Sequence, residues 1–262
     1  MIGKYAQEMT RVVVVSILRD LEDEQNKERA SQRMQRTLLN GFIDKDLPRV
    51  SPETLSPQQR CEANIIEGFI GLYTQVETIR ECQYYFRRYP FRGLHFSRAK
   101  HLTNCCEMYF DRIVQFRDRM KTLLNAIKRA APQAPVPVAR MLRLFDKIFA
   151  FEIRNRNHTH HHGRFDTDEI RQLGLIHILS VGERTANFSA GIEDDLFRKA
   201  ARGWVKSIQQ AVDLVEQFVD QAALIILDVC EFVQPLREQS ISAIAAADDS
   251  GASPPAAKGD GE

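Results

Sequence analysis

The fold turns on one stretch, SPQQRCEANIIEGFIGLYTQVETIRECQYYFRRYP, running from Ser56 to Pro90. Ser56 stands where a cap would stand, Pro57 suits the first helical position, and Gln59 falls three residues after the serine, the pattern of a capping box. Beyond it Ile65, Ile66, Phe69, Leu72, Tyr73, Val76, Ile79 and Tyr84 recur at threes and fours along one stripe. A strand would alternate at two, so the spacing predicts a long helix that ends at Tyr89-Pro90-Phe91-Arg92-Gly93.

The same period continues on the C-terminal side. Ser97 can cap a second helix carrying Leu102, Met108, Tyr109, Ile113, Phe116, Met120, Leu123, Leu124 and Ile127, and the short Pro132 to Pro137 linker suits an antiparallel return. A third helix is predicted from about Val138 through Leu142, Leu144, Phe145, Ile148, Phe149 and Ile153 into the polar run Arg154 to His162, with Gly163 as a junction. Asp166 or Thr167 can cap a short helix ending near Gly182, and a last long helix is expected from about Glu193 to Val233, with Pro235 just beyond it.

On the N-terminal side, Val12 to Val15 is β-branched, yet Leu18, Leu21, Met34, Leu38, Leu39 and Phe42 keep helical spacing and no second strand is available to pair. Helix is the better reading. From Ser240 to Glu262 the chain is rich in Ala, Ser, Pro, Gly and Asp, with little apolar surface to offset its ordering entropy, so disorder is expected there. The predicted organisation is all-α: a helical extension over 1–50, an antiparallel helical bundle over 51–238 and a disordered tail over 239–262. Neither an internal repeat, a glycine-rich phosphate loop nor an alternation of strand with helix is present, which disfavours nucleotide-hydrolysing and doubly wound folds.

Thirty-six Lys and Arg against thirty-five Asp and Glu leave the 262 residues at a net charge of +1, which excludes a uniformly basic nucleic-acid binder. The distribution is uneven. Residues 80–129 hold twelve Lys and Arg against four Asp and Glu, a local excess that suits a phosphate backbone or else solvates helix faces. Five cysteines without CxxC spacing imply neither a disulfide framework nor a zinc knuckle, and the vicinal Cys105 and Cys106 read as small core residues. Residues 1–11 lack the basic start of a signal peptide, the apolar run 12–18 is too short to span a bilayer, and acids interrupt the run 222–233. A cytoplasmic protein with no membrane partner is expected.

One stretch departs from the bundle pattern: Ile153-Arg154-Asn155-Arg156-Asn157-His158-Thr159-His160-His161-His162-Gly163-Arg164-Phe165. Four of the seven histidines fall within five positions. An arginine beside an imidazole that titrates near neutrality can hold a phosphate and move a proton next to it. Two other readings stand beside that one. A helix C-terminus rich in cations is often only a solvated end that the dipole favours. His158 and His162, four apart, could also grip one metal ion, although no His-Glu-x-x-His pattern is present and no third ligand is evident.

Arg156-Asn157-x-x-x-His161 resembles the hallmark of HEPN domains, an Arg, a polar residue and then a His after four to six intervening residues. Gly163-Arg164-Phe165, Tyr89-Pro90-Phe91-Arg92-Gly93, Ser97-Arg98 and Phe116-Arg117-Asp118-Arg119 also look like bacterial HEPN-type proteins, and the resemblance covers roughly residues 56–182. It implies a helical bundle that forms a homodimer and brings two motifs to a shared cleft, where many members cleave RNA without a metal or other cofactor. By that resemblance Arg156 would hold the scissile phosphate, Asn157 would orient the phosphate or the histidine, and His161 would act as general base or general acid, leaving a 2′,3′-cyclic phosphate. Such domains frequently sit in toxin–antitoxin or phage-defence systems beside an antitoxin or a nucleotidyltransferase; other HEPN-like bundles bind RNA, nucleotide or protein without cleaving.

Geometry keeps a second arginine in play. In an unbroken helix residues five apart point about 140° from each other, so Arg156 and His161 share a face only if the helix bends or ends near Thr159. Arg154 shares one with His158 and with His161 or His162, which makes it the alternate, and His160 is the alternate histidine. Arg87, Arg88, Arg92, Arg98 and Arg164 are the further candidates for contacting a nucleic-acid backbone. Tyr84, Tyr85, Phe86 and Tyr89 are read first as core packing and only second as stacking platforms for bases. Trp204 is read as a packing anchor.

Overall fold

The computed structural model describes residues 3–22, 56–91, 96–180 and 186–249. Among them are eight helices and no strand: α1 (Lys4–Glu22), α2 (Pro57–Arg87), α3 (Arg98–Ala130), α4 (Val138–Ile148), α5 (Ala150–His161), α6 (Asp168–Ser180), α7 (Ala186–Val229) and α8 (Val233–Asp249). The chain is all-α, and none of the helices in the described residues is long and apolar enough to cross a membrane.

The local signals explain most of the boundaries. The capping box is formed in full, with the Gln59 amide donating to Ser56 Oγ at 3.2 Å and the Ser56 amide donating to Gln59 Oε1 at 3.1 Å. Ser97 Oγ accepts from the Lys100 amide at 3.2 Å, and between Asp166 and Thr167 it is Thr167 that caps α6, its hydroxyl accepting from the Ile170 amide at 3.3 Å. With α2 and α3 both started cleanly, their apolar stripes meet along an antiparallel pair. Ile65, Phe69, Leu72, Val76 and Ile79 bury against Leu102, Tyr109, Ile113, Phe116 and Met120.

The long α7 closes the third side. It packs on α2 with Arg80 paired to Glu216 at 2.6 Å and Gln83 donating to Gln209 at 3.0 Å, and it carries Trp204 into a nest of rings from Phe86, Tyr109, Phe110, Phe151 and Phe165. Trp204 is thus the packing anchor its position suggests. On the far side of α3, α4 and α5 run back antiparallel to it, so that α3 is covered on both flanks.

Five expectations are corrected. The third helix is broken at Phe149, whose backbone (φ −99°, ψ 28°) leaves the helical region while its ring sinks against Phe145, the centroids 4.5 Å apart. The last long helix begins at Ala186 and stops at Val229, and Pro235 sits in the first turn of α8, where a missing amide proton costs nothing. Helix α8 carries on to Asp249, so residues 240–249 are helical. Leu236 and Ser240 are buried beneath it and Arg237 pairs with Glu8, anchoring a sequence whose composition alone suggested disorder. Tyr84, placed on the buried stripe of α2, is 61% exposed, and its neighbour Tyr85 is exposed as well, so neither packs in the core; Phe86 is buried and Tyr89 half-buried. Helix α1 contributes Ala6, Met9, Val12 and Val13 to the same core as the rest of the bundle. The predicted helical spacing through Met34, Leu38, Leu39 and Phe42, and the tail from 250 onward, lie outside the described residues.

Candidate functional site

Helix α5 carries the histidine cluster along the flank of α3. Its inner side is fixed by hydrogen bonds and charge. The buried Tyr109 hydroxyl donates to Glu152 at 3.1 Å; burial pushes the Glu152 carboxyl above the usual carboxylate range, against its own backbone amide and the Tyr109 bond. One turn on, Asp111 of α3 holds two α5 residues on one carboxylate oxygen: Arg156 Nε lies 3.4 Å away and His160 Nε2 3.2 Å away. After the helix, Arg164 pairs with Glu107 at 2.8 Å and with Asn104, the Phe165 amide donates to Glu107 at 3.0 Å, and the Phe165 ring is buried against Phe110. Gly163 permits this turn, with φ +156°, the sole positive φ among the described residues.

Helix α5 runs through Thr159 without a break. It continues to His161 and closes on His158 O, which accepts from the His162 amide at 2.8 Å. Arg156 and His161 therefore point about 140° apart, and Arg156 is turned into the seam with α3 rather than toward His161. Arg156 and His161 do not share a face of α5. At about 100° per residue, Arg154, Asn157 and His161 instead fall within about 60° of one another on the outer side of α5. Arg154 and Asn157, with Ala150 and Ile153 of the same helix, line a depression whose other walls are Val114 and Arg117 of α3 and Asp146 of α4. Arg117 spans the floor with a two-point grip on Asp146, from Nε and, at 2.8 Å, from Nη2. No side chain among the described residues pairs with Arg154 or Asn157, so both are free to meet an anion.

The other nucleic-acid candidates separate. Arg98 is taken up inside the fold: its guanidinium pairs with Glu193 at 3.1 Å and with Asp194 and lies 5.0 Å from the centre of the Tyr89 ring. It is not free for a phosphate, because releasing it would leave the buried Glu193 with only His177, 3.7 Å away, beside it. Arg164 is half-exposed but already engaged by Glu107 and Asn104. Arg87 and Arg88 are exposed at the end of α2, beside Tyr84 and Tyr85, with Arg87 touching Gln83 at 3.3 Å. Arg92 lies outside the described residues. Three of the twelve cations of residues 80–129 are thus answered by acids from outside that stretch, Arg80 by Glu77 and Glu216, Arg98 by Glu193 and Asp194, and Arg117 by Asp146.

Two further chemistries find little support. The His158 and His162 rings lie 5.6 Å apart, but no group of three or more His, Cys, Asp and Glu arranged for a metal occurs among the described residues. The cysteines of the core are poor nucleophiles, since burial pushes the Cys82 thiol up to about 11 and that of Cys105 up to about 12. Asp111 and Asp146 are not singled out by the sequence, and Arg117 enters it only within Phe116-Arg117-Asp118-Arg119. For Asp111 a signal was present, a Glu107–Asp111 pair one turn apart in an otherwise basic helix, and it reads as surface compensation until α5 is laid beside it.

Compared with known proteins, the chain matches no family model, no curated protein and no solved structure.

Proposed function

We propose that the protein is a HEPN-like endoribonuclease that needs no metal, with Arg154, Asn157 and His161 as its working residues. The observation that supports the reading is the common outer face of these three side chains along helix α5, with Arg154 and Asn157 lining a depression and unpaired among the described residues. Six residues separate Arg154 from His161, which keeps the pair within the spacing of the resemblance. In this assignment Arg154 and Asn157 hold the scissile phosphate by charge-assisted hydrogen bonds. His161 transfers a proton while the ribose 2′-oxygen bonds to phosphorus and the 5′-oxygen leaves, giving a 2′,3′-cyclic phosphate.

A second copy of the chain completes the cleft. Leu144, Ile148 and Phe151 stand exposed on α4 and α5, and covering such apolar side chains favours self-association. Incubating the protein with RNA in excess EDTA tests the proposal. Cleavage that persists in the chelator and is lost in Arg154→Ala and His161→Ala supports it, and wild-type protein that leaves RNA intact refutes it.

A second reading, RNA binding without cleavage, has its own observation: Tyr84 and Tyr85 are 61% and 52% exposed beside Arg87 and Arg88, a pairing of rings and cations that suits single-stranded nucleic acid. Salt-sensitive RNA binding that Tyr84→Ala and Tyr85→Ala weaken, with no cleavage, would select it.

A further inference from the structure

Cleavage by attack of a 2′-hydroxyl needs one proton taken and one proton given, and a single histidine does not do both in the same step. The geometry points to Asp111 as the positioning residue that fixes His160 as the general base of this site, with His161 as the general acid; the inference rests on the ribonuclease reading above.

The argument starts from the hydrogen bond. Asp111 Oδ1 lies 3.2 Å from His160 Nε2. An ionised carboxylate only accepts, so Nε2 must carry the proton, and in the neutral ring Nδ1 is then left with the lone pair of a base. A carboxylate holding an imidazole in one tautomer and steadying its cation is the recurrent arrangement by which a histidine is made a base. Arg156 Nε lies 3.4 Å from the same oxygen as an ion pair, without a hydrogen bond. Around this pair, Glu107 one turn away is already engaged by Arg164 and the Phe165 amide, so Asp111 is the acid left to His160.

Placement agrees with chemistry. On α5 the Asn157 direction lies between those of His160 and His161, so the two rings flank the residue assigned to the phosphate from opposite sides. His160 is about half-exposed, within reach of a bound chain rather than sealed in the core. The step balances. Nδ1 of His160 takes the 2′-hydroxyl proton as the 2′-oxygen bonds to phosphorus, and His161 gives its proton to the 5′-oxygen as the bond from phosphorus to that oxygen breaks.

The test pairs a spectroscopic readout with a kinetic one, on the full chain. Ring nitrogen-15 shifts should show His160 as the Nε2–H tautomer in the wild type and a mixture of tautomers in Asp111→Ala. The cleavage rate should fall about 10²- to 10⁴-fold in His160→Ala, by less in Asp111→Ala, and no further when both changes are combined. If Asp111→Ala folds poorly, His160→Ala, at a half-exposed position, carries the kinetic test alone. Wild-type protein that cleaves while Asp111→Ala and His160→Ala match it in rate overturns this inference and spares the ribonuclease reading. Wild-type protein that cleaves no RNA overturns both.

Discussion

Helix α1 begins without a capping side chain of its own, and its stability rests on a residue more than two hundred positions away. Gly3 occupies the cap position and Asp220 of α7 fills the role, one carboxylate oxygen accepting from the Tyr5 amide at 2.8 Å and the Ala6 amide at 2.9 Å. A Cβ on Gly3 would lie 2.2 Å from Asp220 Cγ, so the glycine is what lets the carboxylate in. Losing a cap costs about 0.5–2 kcal/mol and a hydrogen bond to a charged group about 1.5–3 kcal/mol. Because these amides are only partly buried and water replaces some of the loss, Asp220→Ala should cost about 2 kcal/mol. For a chain of this size that is a fall in Tm of roughly 4–8 °C. Gly3→Ala should cost a similar amount by expelling the same carboxylate. The two changes remove one interaction, so the double variant should be little worse than either single one. Urea or thermal unfolding of the four proteins measures the cycle. Additive losses, or a Gly3→Ala protein as stable as the wild type, would refute the reasoning.

Two other outcomes follow from the helix that bears the histidines. Burial raises the Glu152 carboxyl above its unfolded range, so its contribution to stability is fully present below that range and is lost as pH rises through the raised value. The Tm of Glu152→Gln relative to wild type should therefore increase between acidic and neutral pH, and a pH-independent difference would contradict this. Gly163→Ala should destabilise by about 1 kcal/mol or more through the strain of its positive φ rather than by a clash, since nothing lies within 4 Å of the added carbon; unchanged stability in chemical denaturation would show the turn tolerates a side chain.

What could be read in the sequence was local. Ser56, Gln59, Ser97 and Thr167 act within four residues of themselves, and the apolar stripes of α2 and α3 follow from a repeat visible along the chain. What could not be read depends on a neighbour brought from elsewhere. Phe149 breaks its helix because its ring has a better place beside Phe145, and α8 persists past Ser240 because Glu8 and the core hold its first turns. Composition cannot show either. At the site, the spacing of Arg154, Arg156 and His161 was evident, and so was the face they would occupy on a straight helix. The deciding fact, that Asp111 draws Arg156 toward α3 and leaves Arg154 outward, needs α3 and α5 side by side. The positive excess of residues 80–129 is visible too, but not that acids of α2, α4 and α7 would engage Arg80, Arg98 and Arg117.

If Arg154 and His161 on the outer face of α5 cleave RNA, the ends of the products show it. The most direct measurement is the end chemistry of RNA incubated with the protein in EDTA, for the wild type, Arg154→Ala, Arg156→Ala and His161→Ala at matched folded concentration. The account predicts fragments ending in 2′,3′-cyclic phosphate from the wild type, and their loss in Arg154→Ala and His161→Ala by about 10²-fold or more, with a smaller effect in Arg156→Ala. Intact RNA with the wild type, or equal fragment yields from wild type and His161→Ala, would contradict it.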